Sequence, residues 1–256
     1  LGYIMSTTLP GEAAPAAARA ASWREIVARY QRTEVPRSLF QLVNTLVPLA
    51  AMFAVMAYSL RWPYWVTLLL SLPTAGLLVR TFIIMHDCAH GSFLPWRRVN
   101  DLIGWVTGVL TLTPFSQWRR DHALHHASSG DLDRRGHGDV ETITVREYLA
   151  MSEGDRLKYR IKRHPLALLL VGPLYLMYSQ RFRPRSKATK DKQISSDWST
   201  NIAIVVALVA FGLAGLLPEM LMVYFPAIYF AGMAGVFLFY VQHQFEDTYW
   251  APHQDW

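Results

Sequence analysis

Hydrophobic residues make up 52% of this 256-residue chain, charged residues only 17%, and the mean hydropathy is +0.15. That is one domain's length with too little charge for an ordinary soluble domain. The formal charge of +6 does not point to nucleic acid, because the basic residues fall between apolar stretches rather than in an aromatic-basic pattern, and the single cysteine, Cys88, excludes an intrachain disulfide.

In chain order, residues 1–22 read as a disordered lead, since Pro10 to Ala21 is alanine-rich, carries two prolines and shows no apolar periodicity. Met5 is the expected start, and no apolar core follows a basic end as in a signal peptide. Residues 23–256 read as one membrane domain. Trp23 to Pro36 suits a surface amphipathic helix, with Arg24, Arg29 and Arg32 facing lipid phosphates. Leu42 to Leu60 is a first apolar span, Arg61 to Tyr64 a turn with interfacial aromatics, and Tyr64 to Met85 the return crossing. Arg80 lies near enough to the end of that span to snorkel.

Leu102 to Trp118 is apolar but broken by Gly104, Gly108 and Pro114, which predicts a re-entrant or interfacial segment. Asp131 to Gly138 reads as loop, with His137 a solvated loop residue, and Thr144 to Arg163 as one basic amphipathic helix ending near a boundary residue, His164. Leu166 to Tyr178 is too short to cross comfortably, and Arg181 to Lys192 is a basic linker. Ile202 to Leu217 gives a third span, Leu217 to Glu219 a turn, and Met220 to Val241 a fourth. The expected fold is therefore an all-α integral membrane protein of two helical hairpins, four spans in all, with a cytoplasmic histidine-rich cap. Residues 86–198 hold eighteen of the twenty-five Lys and Arg, against one in the turn at 61–64 and none at 217–219. The positive-inside rule places both termini and the histidines in the cytoplasm.

The chemistry-bearing residues are histidines. His86 and His90 are four apart, and His122, His125 and His126 stand at offsets of zero, three and four, so each set shares a helix face. Five imidazoles are too many for one tetrahedral zinc and suit two metal ions with open positions. Cys88, at the intervening i+2 position, faces away from this set. His243 follows the fourth span as His86 and His90 follow the second, which makes it a sixth candidate ligand. Asp87, Asp121 and Glu246 stand near enough in sequence to orient imidazoles or to be ordinary loop charge.

The segments His86-Asp87-Cys88-Ala89-His90-Gly91-Ser92-Phe93 and Arg120-Asp121-His122-Ala123-Leu124-His125-His126, with its tail to Asp133, resemble the first two histidine boxes of the membrane fatty-acid desaturases. Residues 136–142 and 240–250 are similar to the bacterial acyl-lipid branch. The resemblance runs from about residue 40 to the C-terminus. It implies a non-haem di-iron enzyme that uses O2 to place a cis double bond in a fatty acyl lipid. His86, His90, His122, His125, His126 and His243 are then metal ligands, and a ferredoxin-like or cytochrome b5-like protein is the electron donor. The net basic 86–198 segment suits an acidic donor. The implied location is a bacterial inner membrane. The family's third HxxHH box, expected after the segment matching residues 241–250, has no counterpart before Trp256, so a chain cut before that box is expected.

Three other readings stay open on the sequence. One is hydroxylation, epoxidation or carotenoid oxidation on the same metal core. Another is a zinc-dependent membrane hydrolase, disfavoured because Asp87 rather than Glu follows His86. The last is a non-enzymatic truncated chain.

Overall fold

The computed structural model describes residues 25–28, 32–136, 141–182 and 191–256, with the backbone alone at 182 and 191–197. The predicted lead at 1–22 and His137 lie outside the described residues. Among the described residues the chain is helical, and the only β-pairing is a single bridge between Asp131 and Ala251.

Helix α1 spans Val35–Ser59 and α2 spans Trp65–His90. The expected surface helix over 23–36 is interrupted: residues 25–28 are helical, 32–34 are not, and Glu34 is extended. Pro36 explains this, because its fixed φ and missing N–H suit the first turn of α1. The α1–α2 hairpin closes on hydroxyls, with Ser59 Oγ 2.8 Å from Thr67 Oγ1 and Thr74 Oγ1 3.2 Å from Met56 Sδ.

Helices α3 (Arg97–Leu110) and α4 (Phe115–Ser128) form a second hairpin. Gly104 and Gly108 do not break it; both lie inside α3. A Cβ at Gly104 would collide with the Phe115 ring, and one at Gly108 would lie 2.6 Å from the Thr113 carbonyl oxygen, so the glycines let α4 fold back closely. The turn at 111–114 uses Leu112 at a φ of 54°.

The expected helix over 144–163 is two, α5 (Val145–Ala150) and α6 (Glu153–Arg163). Ser152 is the cause, since its side chain accepts from the Asp155 amide and starts a new helix. Helices α7 (Pro165–Leu170) and α8 (Gly172–Phe182) follow, with His164 capping α7 as the boundary residue expected.

Helix α9 covers Asp191–Leu213 and α10 covers Leu217–His243. The predicted turn at 217–219 is instead the first turn of α10, because Pro218 suits a helix start and Gly215 takes the left-handed φ of 69° just before it.

Among the described residues, three helices are long and apolar enough to cross a membrane: α1, α2 and α10, of 25, 26 and 27 residues. At 1.5 Å per residue they run about 38–40 Å, longer than a bilayer core of about 30 Å. The described apolar part of α9, Trp198–Leu213, is shorter. The surface supports a lipid environment. Phe40, Val43, Val47, Leu69, Leu72 and Phe225 are exposed, whereas Thr45, Ser59, Thr67, Ser71, Thr74 and Thr81 are buried. All of these but Thr67 return to carbonyls three or four residues back, as Thr81 does to Leu77 at 2.8 Å, and small buried residues let helices approach closely.

Helix α2 is the hub, packed by α1, α3 and α10. Its Ala75 and Leu78 join Leu49 and Met56 of α1 and Val223, Ala227, Ile228 and Ala231 of α10 in one cluster. Tyr64, just before α2, donates to the Met222 carbonyl near the start of α10. The two helices thus begin side by side and end in histidine. The tip of the α3–α4 hairpin accepts hydrogen bonds at the Leu110 carbonyl from Tyr224 and at the Leu112 carbonyl from Arg181. Tyr224 lies 19 residues before His243 on α10, about 28 Å along the axis, so the hairpin runs deep beside that helix, as a re-entrant segment would.

Candidate metal centre

The six histidines come from three helices. His86 and His90 end α2, His122, His125 and His126 lie on α4, and His243 ends α10. His86 is 21 residues beyond Trp65, about 32 Å along the helix, which carries these histidines past the thickness of a bilayer core. Gly91, left-handed at φ 71°, stops α2 directly after His90.

Four of these residues form one cluster. His86, His90, His122 and His126 each offer a ligand atom, and these atoms all lie within 4.8 Å of one another. His122 Nε2 sits 3.1 Å from His90 Nε2 and 3.0 Å from His126 Nε2. Nitrogens bound to one ion at about 2.1 Å stand about 3.0–3.4 Å apart, so these separations fit a shared ion. His125 and His243 pair beside the cluster, Nε2 to Nε2 at 2.8 Å. His125 is buried, and its ring lies 5.8 Å from that of His126.

The surroundings favour the neutral imidazole at His122 and His126. Burial, then the neighbouring imidazoles, push the His122 pKa down to about 3, and the same causes lower that of His126. Neutral imidazole is the form that binds metal. His243 Nδ1 lies 2.7 Å from the Phe239 carbonyl oxygen, which can only accept, so Nδ1 carries the proton and Nε2 presents a lone pair. His86 Nδ1 is 3.0 Å from Asp87 Oδ1, the carboxylate–histidine arrangement that fixes ring orientation in metal sites. This nitrogen-rich donor set fits a first-row metal such as iron.

Asp87 thus takes the orienting position considered for it. Asp121 instead meets Arg120, at 3.4 Å, and Glu246 has no described contact with a histidine. Cys88 is buried among Met85, Phe93, Leu94 and Phe115, outside the four-histidine cluster, as its i+2 position predicts.

Two features escaped the sequence reading. Trp118 stacks on His122 at a centroid distance of 4.3 Å. The chain end is also latched to the loop after α4. Asp131, fully buried, is 2.7 Å from His253 Nδ1, the Asp133 carboxylate accepts from the His253 amide, and the Ala251 amide donates to the Gly130 carbonyl. His253 stands 122 residues from Asp131, beyond any local pattern. Only the Asp-x-Asp in the tail of the second box carried a signal. At the other flank, Arg163 donates to Gln244 at 2.7 Å and lies over Tyr240, tying α6 to the last turn of α10.

Residues 59–255 match the model of the fatty acid desaturase family. Over 231 residues the chain is 41% identical to a fatty acid desaturase of Bacillus subtilis (strain 168), covering 90% of this chain and 65% of that protein. It is 28% identical over 189 residues to an sn-1 acyl-lipid omega-3 desaturase (ferredoxin) of Nostoc sp. (strain 36), covering 72% and 49%. It is 25% identical over 228 residues to a Delta(12) fatty acid desaturase of Caenorhabditis elegans, covering 86% and 59%. The chain therefore spans half to just under two thirds of the length of these relatives.

Proposed function

Because the chain belongs to the fatty acid desaturase family, we propose that it carries the core of a non-haem di-iron oxidoreductase that uses O2 to place a cis double bond in the acyl chain of a membrane lipid. The observation that carries this reading is the meeting of six histidines, from the ends of two candidate spans and from α4, in one nitrogen-lined site.

In this proposal His86, His90, His122 and His126 hold one iron, and His125 and His243 contribute to a second. Bound iron supplies the oxygen and one-electron chemistry that side chains lack. The chain's own residues set the conditions. Asp87 fixes the His86 ring, the Phe239 carbonyl fixes the His243 tautomer, and the apolar faces of α2 and α10 keep water from the approach of an acyl chain.

The remaining assignments are proposals on the same footing. Residues 23–256 form one domain, with α9 as a fourth span. The histidine end faces the cytoplasm of a bacterial inner membrane, which the eighteen Lys and Arg of residues 86–198 support. That basic surface suits an acidic electron donor, ferredoxin-like or cytochrome b5-like, and the Nostoc relative's name specifies ferredoxin.

The test is product analysis. Expressed in a bacterium with saturated membrane lipids, the chain should yield new cis double bonds in lipid acyl chains, and His86→Ala should yield none. A hydroxylated or epoxidised product would move the reading to a sister reaction. No oxidised lipid, with iron bound and a donor supplied, would sink it.

A further inference from the structure

The histidine cluster continues, ring by ring, into two aromatic residues that are not ligands. Phe82 stands one turn before His86 on α2, and Trp118 stands one turn before His122 on α4. Across the two helices the rings alternate. Phe82 meets Trp118 at 5.3 Å, Trp118 meets His86 at 5.7 Å, His86 meets His122 at 4.9 Å, His122 meets His90 at 5.0 Å, and His90 meets His126 at 5.2 Å. Along its own helix Trp118 also stacks on His122, 4.3 Å between centroids and 20° between planes. Among the described ring contacts, Trp118 is the one non-histidine residue that touches both His86 and His122.

This placement matters because an imidazole ligand must hold its ring plane as well as its position. A ring turning about its last side-chain bond swings Nε2 off the metal. A flat indole stacked on that ring resists the turn, and an aliphatic side chain of similar bulk does not. His122 needs such restraint: the described contacts of its ring are to other imidazoles and to Trp118, with no carboxylate or carbonyl like those that fix His86 and His243. The restraint also comes from the side of the spans, since Phe82 and Trp118 each lie one turn before a ligand.

We propose that Trp118 is a positioning residue of the metal centre, setting the ring planes of His122 and His86 and closing the array on the side of the spans. The inference rests on the metal-binding reading above.

The test compares wild type with Trp118→Phe and Trp118→Leu, both of which keep apolar bulk, in the full chain purified in detergent. Co2+ is titrated in, with affinity taken from calorimetry and ligand geometry from the visible absorption of the bound ion. Leu should weaken binding about tenfold, the lower end of the range for residues that support ligands, and alter the visible spectrum, while Phe restores both. Leu and wild type binding equally with the same spectrum would overturn the role of Trp118 and leave the metal site standing. Wild type that binds no Co2+ would overturn both.

Discussion

His86 and His243 are oriented by the same physical device: one ring nitrogen is engaged by an acceptor, which leaves the other as the nitrogen that the proposal assigns to metal. For His86 the acceptor is the Asp87 carboxylate, and for His243 the Phe239 carbonyl. Asp87→Asn keeps the shape and removes the charge. It should weaken metal binding about tenfold or more without unfolding the chain, as measured by competition with a chelator. Unchanged affinity would reduce Asp87 to a surface charge. All six ligand candidates were legible in the sequence because helical spacing of three and four puts histidines on one face, and because His243 ends its helix as His90 does. Trp118 and Asp131 were not. An aromatic at i−4 looks like any core residue, and a buried carboxylate is recognised only by its distant partner, here His253.

At the scale of elements, the aim of α4 depends on how closely it folds back on α3. Gly104 provides the space for Phe115. Gly104→Ala should cost about 1–3 kcal/mol by overpacking, lower the thermal transition in detergent and reduce metal content together. A normal melt with full metal would show that the hairpin tolerates the shift. The sequence read these glycines as breaks because glycine weakens helices; the pressure of a ring across the hairpin is not visible in one strand of text. Thr144 and Glu147 show the opposite case, a local signal that was present as a capping box and holds α5. Hydrogen bonds from Arg135, then from the Thr144 amide and hydroxyl, hold the Glu147 carboxyl down at about 2. A depressed carboxyl stabilises above its unfolded value of about 4.3, and that contribution fades as pH falls toward 2. Protection of the 144–150 amides against hydrogen exchange, taken relative to the intrinsic rate at each pH, should therefore fall between about pH 4 and pH 2 in wild type. Glu147→Gln should show lower protection already at neutral pH and no such fall.

For the whole molecule, the division of surfaces is that of a protein in lipid: large apolar side chains outward, hydroxyls inward, histidines at one end of the long helices. Three of the four predicted crossings appear as long apolar helices because twenty or so apolar residues are a strong signal. The predicted third span, Ile202 to Leu217, does not reach that length in the described part of α9. The proposed orientation gives a direct prediction. In a Cys88→Ser background, a membrane-impermeant maleimide should label Arg61→Cys in intact cells and leave Glu153→Cys unlabelled until the cells are opened. The reverse pattern would place the histidines outside.

The most direct measurement is iron and zinc per chain on detergent-purified protein, beside a His86→Ala/His125→Ala variant that removes one candidate ligand from the four-histidine cluster and one from the His125–His243 pair. The proposed di-iron centre predicts close to two irons in the wild type, lost in the variant. A single zinc, or no iron above that of the variant, would contradict it.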